Sequence, residues 1–271
     1  MTLCVAAACN FKSRPAVVLG SDWQVENEVA KADIHDKLYW IMNLQWPVLI
    51  AGTVANAIRL KDTYHSVLKA LPGGVHRENL IDVMHLPLRT FKAKLADARA
   101  GNLLGLSYEQ VLAVGRAQLP EDMFREVMLD IARIQTDCEL IVIPFIEGTP
   151  RIFKVSAAGV EPCEQFAVIG SGTNIADGYL SYREHDEQAS LKKCLYHVYE
   201  AMKMGSKAPG VGAKFVMAVI YCQTKDSKTV AYNLSESYVS RLEATFRRLS
   251  PKKTRGIPDI NPRNHLTPFG L

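Results

Sequence analysis

A layered α+β fold is what this sequence predicts, and three observations predict it. Apolar runs of strand length, such as PVLIAG and ELIVIPFI, are short and uninterrupted, as expected of strands buried on both faces. They come in blocks, and the blocks are separated by stretches of helical periodicity; single strands and single helices do not alternate. The 271-residue chain is also long enough to bury a substantial core.

The elements follow in order. Residues 2–9 read as a strand narrowed by Ala and Cys, and RPAVVLGSD as a second strand ending at Ser21 and Asp22. KLYWIM and WPVLIAG are the next pair, separated by the turn-like NLQ. Val54, Ala57, Ile58, Tyr64, Val67, Leu68 and Leu71 then recur at three- and four-residue spacings, which predicts an amphipathic helix that stops at Gly73-Gly74. Residues 75–118 read as helical but less regular, with Ser107 and Gln110 forming a capping box. Pro120 sits in the first turn of a further helix carrying Met123, Val127, Ile131 and Ile134.

Strands return with ELIVIPFIEG, RIFKVSAAG and EQFAVIGSG. SLKKCLYHVYEAMKMGSK is the cleanest helix: Ser190 caps it, Leu191, Leu195, Val198 and Met202 make the buried stripe, and Gly205 stops it. KFVMAVIYC and KTVAYNL form a final strand pair, and 237–249 a last helix. Residues 251–271, with Pro251, Pro258, Pro262 and Pro268, are expected to be a tail that does not fold alone. No internal repeat is visible.

Composition narrows the function. Apolar content of 48% and charged content of 22% are ordinary for a soluble domain. No window reaches the roughly eighteen apolar residues of a membrane span. The net charge of +4 is modest and partly confined to FRRLSPKKTRG, so no nucleic-acid surface is expected. The six cysteines are scattered, without CxxC pairs or zinc spacing; with no Lys/Arg-rich leader ahead of them, the expected compartment is the reducing cytoplasm. GSKAPGVGAK has Val211-Gly212 where a P-loop needs Lys-Ser/Thr. IGSGT is not a G-x-S-x-G elbow, and no H-E-x-x-H occurs.

What remains is the opening MTLCVAAACNF. Thr after Met is small enough for the methionine to be trimmed, which would expose a Thr2 α-amine with a pKa of about 8. Such an amine can take the proton of its own residue's hydroxyl, so nucleophile and base share one residue. The chemistry needs a nearby cation, a carboxylate to hold it, and N–H donors for the oxyanion. Alone, a Met-Thr start decides nothing.

Its context adds weight. Thr2, then VVLGSD ending in Asp22, HDKLYW with Lys37, and IAGTVANA resemble the front of a proteasome β-type subunit, an N-terminal nucleophile (Ntn) hydrolase. FAVIGSGTNIADGYL is similar to that family's Gly-Ser-Gly segment, SLKKCLYHVYEAMK to the helix after it, and GVGAKFVMAVI to the strand returning to the active site. The resemblance runs in order from residue 2 to about 235.

It implies a four-layer αββα sandwich over residues 1–250, a helical insertion at about 75–118, and the tail outside. It implies Thr2 as nucleophile, Lys37 lowering its proton affinity, Asp22 orienting Lys37, and Ser171 beside the amine. The backbone N–H of Ala55 would be the oxyanion donor, and Val25, His35, Thr53 and Ala57 would line the substrate pocket. The residues by themselves also allow Lys37 to be a surface partner of Asp33 or Asp36, and Asp22 a turn residue.

The expected reaction is peptide or amide hydrolysis through an acyl-enzyme, with no cofactor and no metal, in a homo-oligomeric ring. Whether an ATP-driven unfoldase feeds the ring is open. Ala208 and Val211 stand where the family has an Asp and a Ser, and Gln24 where it commonly has an Arg, so a catalytically inactive structural subunit is the alternative. Cys4 or Cys9 as nucleophile is a third reading.

Overall fold

In the computed structural model, residues 2–22, 25–26, 31–32, 37–223, 229–249 and 266–268 are described. The chain begins with strands β1 (Leu3–Phe11), β2 (Arg14–Asp22), β3 (Val25–Glu26), β4 (Lys31–Ala32), β5 (Leu38–Ile41) and β6 (Trp46–Gly52). Helices α1 (Val54–Lys69), α2 (Leu80–Leu104), α3 (Tyr108–Gln118) and α4 (Glu121–Ala132) follow. Next come β7 (Cys138–Val142), β8 (Phe145–Ile146), β9 (Thr149–Pro150), β10 (Ile152–Val155), β11 (Val160–Cys163) and β12 (Phe166–Gly170). Helices α5 (Thr173–Tyr182) and α6 (Leu191–Gly205), strands β13 (Phe215–Cys222) and β14 (Thr229–Leu234), helix α7 (Glu236–Leu249) and strand β15 (Leu266–Pro268) complete it. The fold is α+β.

Two antiparallel sheets organise the chain. The first runs β12-β1-β2-β13-β14-β15 and the second β11-β10-β7-β6-β5. Side-chain alternation explains why their strands are apolar throughout. In β1, Leu3, Val5, Ala7 and Cys9 enter a cluster with Ala176 and Leu180 of α5, Leu195, Val198 and Met202 of α6, and Tyr238 and Leu242 of α7. The intervening Cys4 and Ala6 join a different cluster, with Leu49 and Ala51 of β6 and Ile141 of β7. That second cluster draws on both sheets, and its Ala- and Cys-rich half lets them approach closely. The other face of β6 contributes Trp46, Val48 and Ile50 to a third cluster with α1 and the first half of α2.

The helical stretch after α1 divides in two. Leu80, Met84, Leu88 and Phe91 of α2 belong to the cluster over the second sheet. Ala96 and Ala100 further along α2 form a satellite core with Val111, Val127 and Ile131 of α3 and α4. Ser107 and Gln110 form the expected capping box on α3, whereas Pro120 caps α4 from outside its first turn. The tail differs from expectation: Leu266–Pro268 pairs antiparallel with Tyr232–Leu234 at the edge of the first sheet, because β14 would otherwise present unpaired backbone groups there. The rest of 250–271 lies outside the described residues. Among the described residues no helix is long and apolar enough to cross a membrane.

Candidate active site

The end of the first sheet collects four strand termini. Leu3 at the start of β1 pairs with Gly170 at the end of β12; Cys4 pairs with Ser21 beside the end of β2; Phe215, opening β13, pairs with Asp22. Thr2 precedes β1 and is buried.

Asp22 is fully buried and has three donors. Its Oδ1 accepts the Leu3 N–H at 2.8 Å and the Lys37 ammonium at 2.6 Å, and its Oδ2 accepts the Gly212 N–H at 3.1 Å. Three donors on one carboxylate offset much of the cost of burying the charge. Lys37 does not come from the same sheet. Its carbonyl accepts the Ile50 N–H, which extends the β5–β6 ladder of the second sheet, so the ion pair crosses between the sheets. A pairing of Lys37 with Asp33 or Asp36 concerns residues outside those described; the structure pairs Lys37 with Asp22.

A second crossing runs the other way. Glu139 of β7 accepts the Gly170 N–H through Oε2 at 2.9 Å. Gly170 has φ +95°, and a Cβ there would stand 2.1 Å from the Thr2 carbonyl oxygen, so only glycine lets β12 pass this close to the chain start. The Ser171 hydroxyl donates to the same Thr2 carbonyl at 3.3 Å. Thr2, Asp22, Lys37 and Ser171 are therefore gathered at one place.

A cleft of about 480 Å³ opens here, lined by Thr2, Gly52, Asp137, Glu139, Gly170 and Ser171 among others. The remaining sequence-derived residues fare differently. Ala55 is the second residue of α1, where backbone N–H groups lack intrahelical acceptors, yet Gly52 represents this segment in the cleft lining; Ala55, Thr53 and Ala57 are not part of it. Ala57 is fully buried in the cluster under α1, so its methyl does not face a substrate. His35 and the side chain of Val25 lie outside the described residues.

Cys4 and Cys9 are buried on β1. Burial pushes the Cys4 thiol well above its ordinary pKa, against the lowering influence of Lys37, so Cys4 stays protonated and is a poor nucleophile. Sequence reasoning missed Gly52, Asp137, Glu139 and Gly170. A signal was available only for the glycines, each standing at a strand end. Among the described residues no group of three or more His, Cys, Asp or Glu gathers to hold a metal. No protein-family model matches this chain, and no curated protein matches it.

The arrangement brings together a hydroxyl-bearing residue of the cleft lining, an ammonium held by a carboxylate and buried outside that lining, and backbone amides. Those are the parts that acyl transfer requires.

Proposed function

We propose that the chain is an N-terminal threonine hydrolase of proteasome β-type, built as a four-layer αββα sandwich, which cleaves peptide or amide bonds after loss of Met1. One observation carries this reading: a single oxygen of buried Asp22 receives both the Lys37 ammonium and the Leu3 N–H. A cation and the chain start are thereby held on one carboxylate, between two sheets.

In the proposed reaction the neutral Thr2 amine takes the proton of the Thr2 hydroxyl as Oγ1 attacks the substrate carbonyl carbon. Lys37 favours the deprotonated oxygen, and backbone N–H groups around Gly52 and the start of α1 accommodate the negative carbonyl oxygen. The amine returns the proton to the leaving nitrogen, the C–N bond breaks, and an ester on Thr2 remains. Water, deprotonated by the same amine, then hydrolyses that ester. Family resemblance extends the proposal to a homo-oligomeric ring.

Intact-mass analysis tests this directly. The expected result is a chain lacking Met1 that gains one adduct on Thr2 from a threonine-directed electrophile, with Thr2→Ala abolishing both adduct and turnover. Quantitative retention of Met1 refutes it.

A second reading is favoured by a specific observation. Ala208 and Val211 are buried in the apolar cluster on the helix side of the first sheet, where they bring no polar side chain to the Thr2 amine; of this loop, it is the Gly212 N–H that reaches Asp22. A structural, inactive subunit would then form a defined oligomer and leave Thr2 unlabelled by the electrophile.

A further inference from the structure

We propose that the cleft selects substrates carrying a cationic group, an ammonium or a guanidinium, beside the bond to be cleaved, and that Glu139 is the residue that reads it. The inference rests on Thr2 being the nucleophile, and it adds the class of substrate.

Among the described residues lining the cleft, the charged ones are Asp137 and Glu139; no Lys, Arg or His joins them. Glu139 is well prepared for recognition. Its Oε2 is fixed by the Gly170 N–H at 2.9 Å, so little side-chain entropy remains to be lost when a ligand arrives. Its Oε1 has only a distant cation, Lys154, at 3.8 Å, with both side chains partly open to solvent. A substrate cation making a charge-assisted hydrogen bond at about 2.8 Å is the better partner.

Position supports the same conclusion. Gly170 touches the Thr2 carbonyl, so the carboxylate that binds the Gly170 N–H shares one cleft wall with Thr2. Asp137 is the second acidic residue of the lining, and its backbone carbonyl accepts the Thr53 N–H. The 480 Å³ volume is adequate for an extended Lys or Arg side chain.

The test compares N-acetylated fluorogenic amides with Lys, Arg, Leu or Glu next to the scissile bond. An unblocked Leu amide separates a terminal ammonium from a side-chain cation as the source of charge. Expected is a kcat/KM roughly tenfold higher for the cationic substrates than for Leu, with Glu lowest. Glu139→Gln, which retains an oxygen for the Gly170 N–H, should bring the ratio close to unity. Lys154→Met removes the competing cation and should raise the ratio.

Equal rates across the series, or a ratio untouched by Glu139→Gln, overturn the proposal. Calorimetry on Thr2→Ala with N-acetyl-lysinamide and N-acetyl-leucinamide separates the two readings. Preferential, Glu139-dependent binding of the Lys amide without turnover by the unmutated chain would sink the threonine chemistry and leave the charge selectivity standing. Indiscriminate binding, together with active turnover, would do the reverse.

Discussion

Two buried ion pairs stand among the described residues, and they are built differently. Arg183 and Glu200 join α5 to α6 through two hydrogen bonds, at 2.5 and 2.8 Å, with side chains 7% and 0% exposed. The guanidinium also lies over the Tyr196 ring. Lys37 and Asp22 are equally buried, at 5% and 0%, but meet through one oxygen that also binds backbone. A forked, permanently charged Arg matched to both carboxylate oxygens makes a fixed clamp within one layer. A Lys carries a compact point charge on a flexible stem. The first pair suits holding helices together; the second, across two sheets and bonded to the residue after Thr2, suits chemistry.

Breaking each pair separates the roles. Lys37→Ala is expected to lower kcat/KM about a thousandfold, within the range for a lost preorganised charge-stabilising group. Lys37→Arg should not restore it, since a broad planar guanidinium does not replace a compact ammonium in a buried site. Full activity in either variant would reduce Lys37 to a structural role. Glu200→Ala strands the Arg183 charge and should cost about 3–5 kcal/mol of stability, read as a lower denaturant midpoint, while turnover per folded molecule holds. Gly170→Ala is a smaller insult to stability, about 1–3 kcal/mol for a Cβ at φ +95° against the Thr2 carbonyl. Its activity should nevertheless fall, which a surface loop substitution would not cause.

The most gradual effect concerns acid. His185 and His197 neighbour the Arg183–Glu200 clamp, with their Nδ1 atoms 3.2 Å apart. The Ala8 carbonyl can only accept, so His185 Nε2 carries the proton. His197 Nδ1–H therefore donates to His185, which leaves His197 Nε2 without a partner. Burial lowers both pKa values, that of His197 to about 3 with the neighbouring His185 charge as a further cause. The unfolded chain thus binds protons that the folded one refuses. Stability should be full above about pH 6.5 and decline as pH falls toward 3, by about 2 kcal/mol at pH 5 for His197 alone. His197→Phe should flatten that slope in urea melts taken across this range.

Legibility in the sequence followed the range of the interactions. Helix α6 was readable end to end, because its Ser190 cap, apolar stripe and terminal Gly205 are all local. Asp22 and Lys37 were marked by order of segments, but nothing local told that their strands belong to different sheets. Helix α5 was not marked as a helix, being short and opened by glycines at 170 and 172. Glu139 was hidden at the head of an apolar strand, where it reads as a solvated strand end; its bond to Gly170 spans 31 positions. Ala55 was marked by the family resemblance alone, and the curl of β6 at Gly52, φ +87°, is visible only in three dimensions. The three-residue strand of the tail depends wholly on a β14 edge far behind it in the chain.

The reciprocal crossings, Asp22 reaching to one sheet and Glu139 reaching back to the other, tie the cleft to the seam between the sheets. Neither sheet alone holds the whole constellation, so the proposed chemistry is expected only where the two halves have docked.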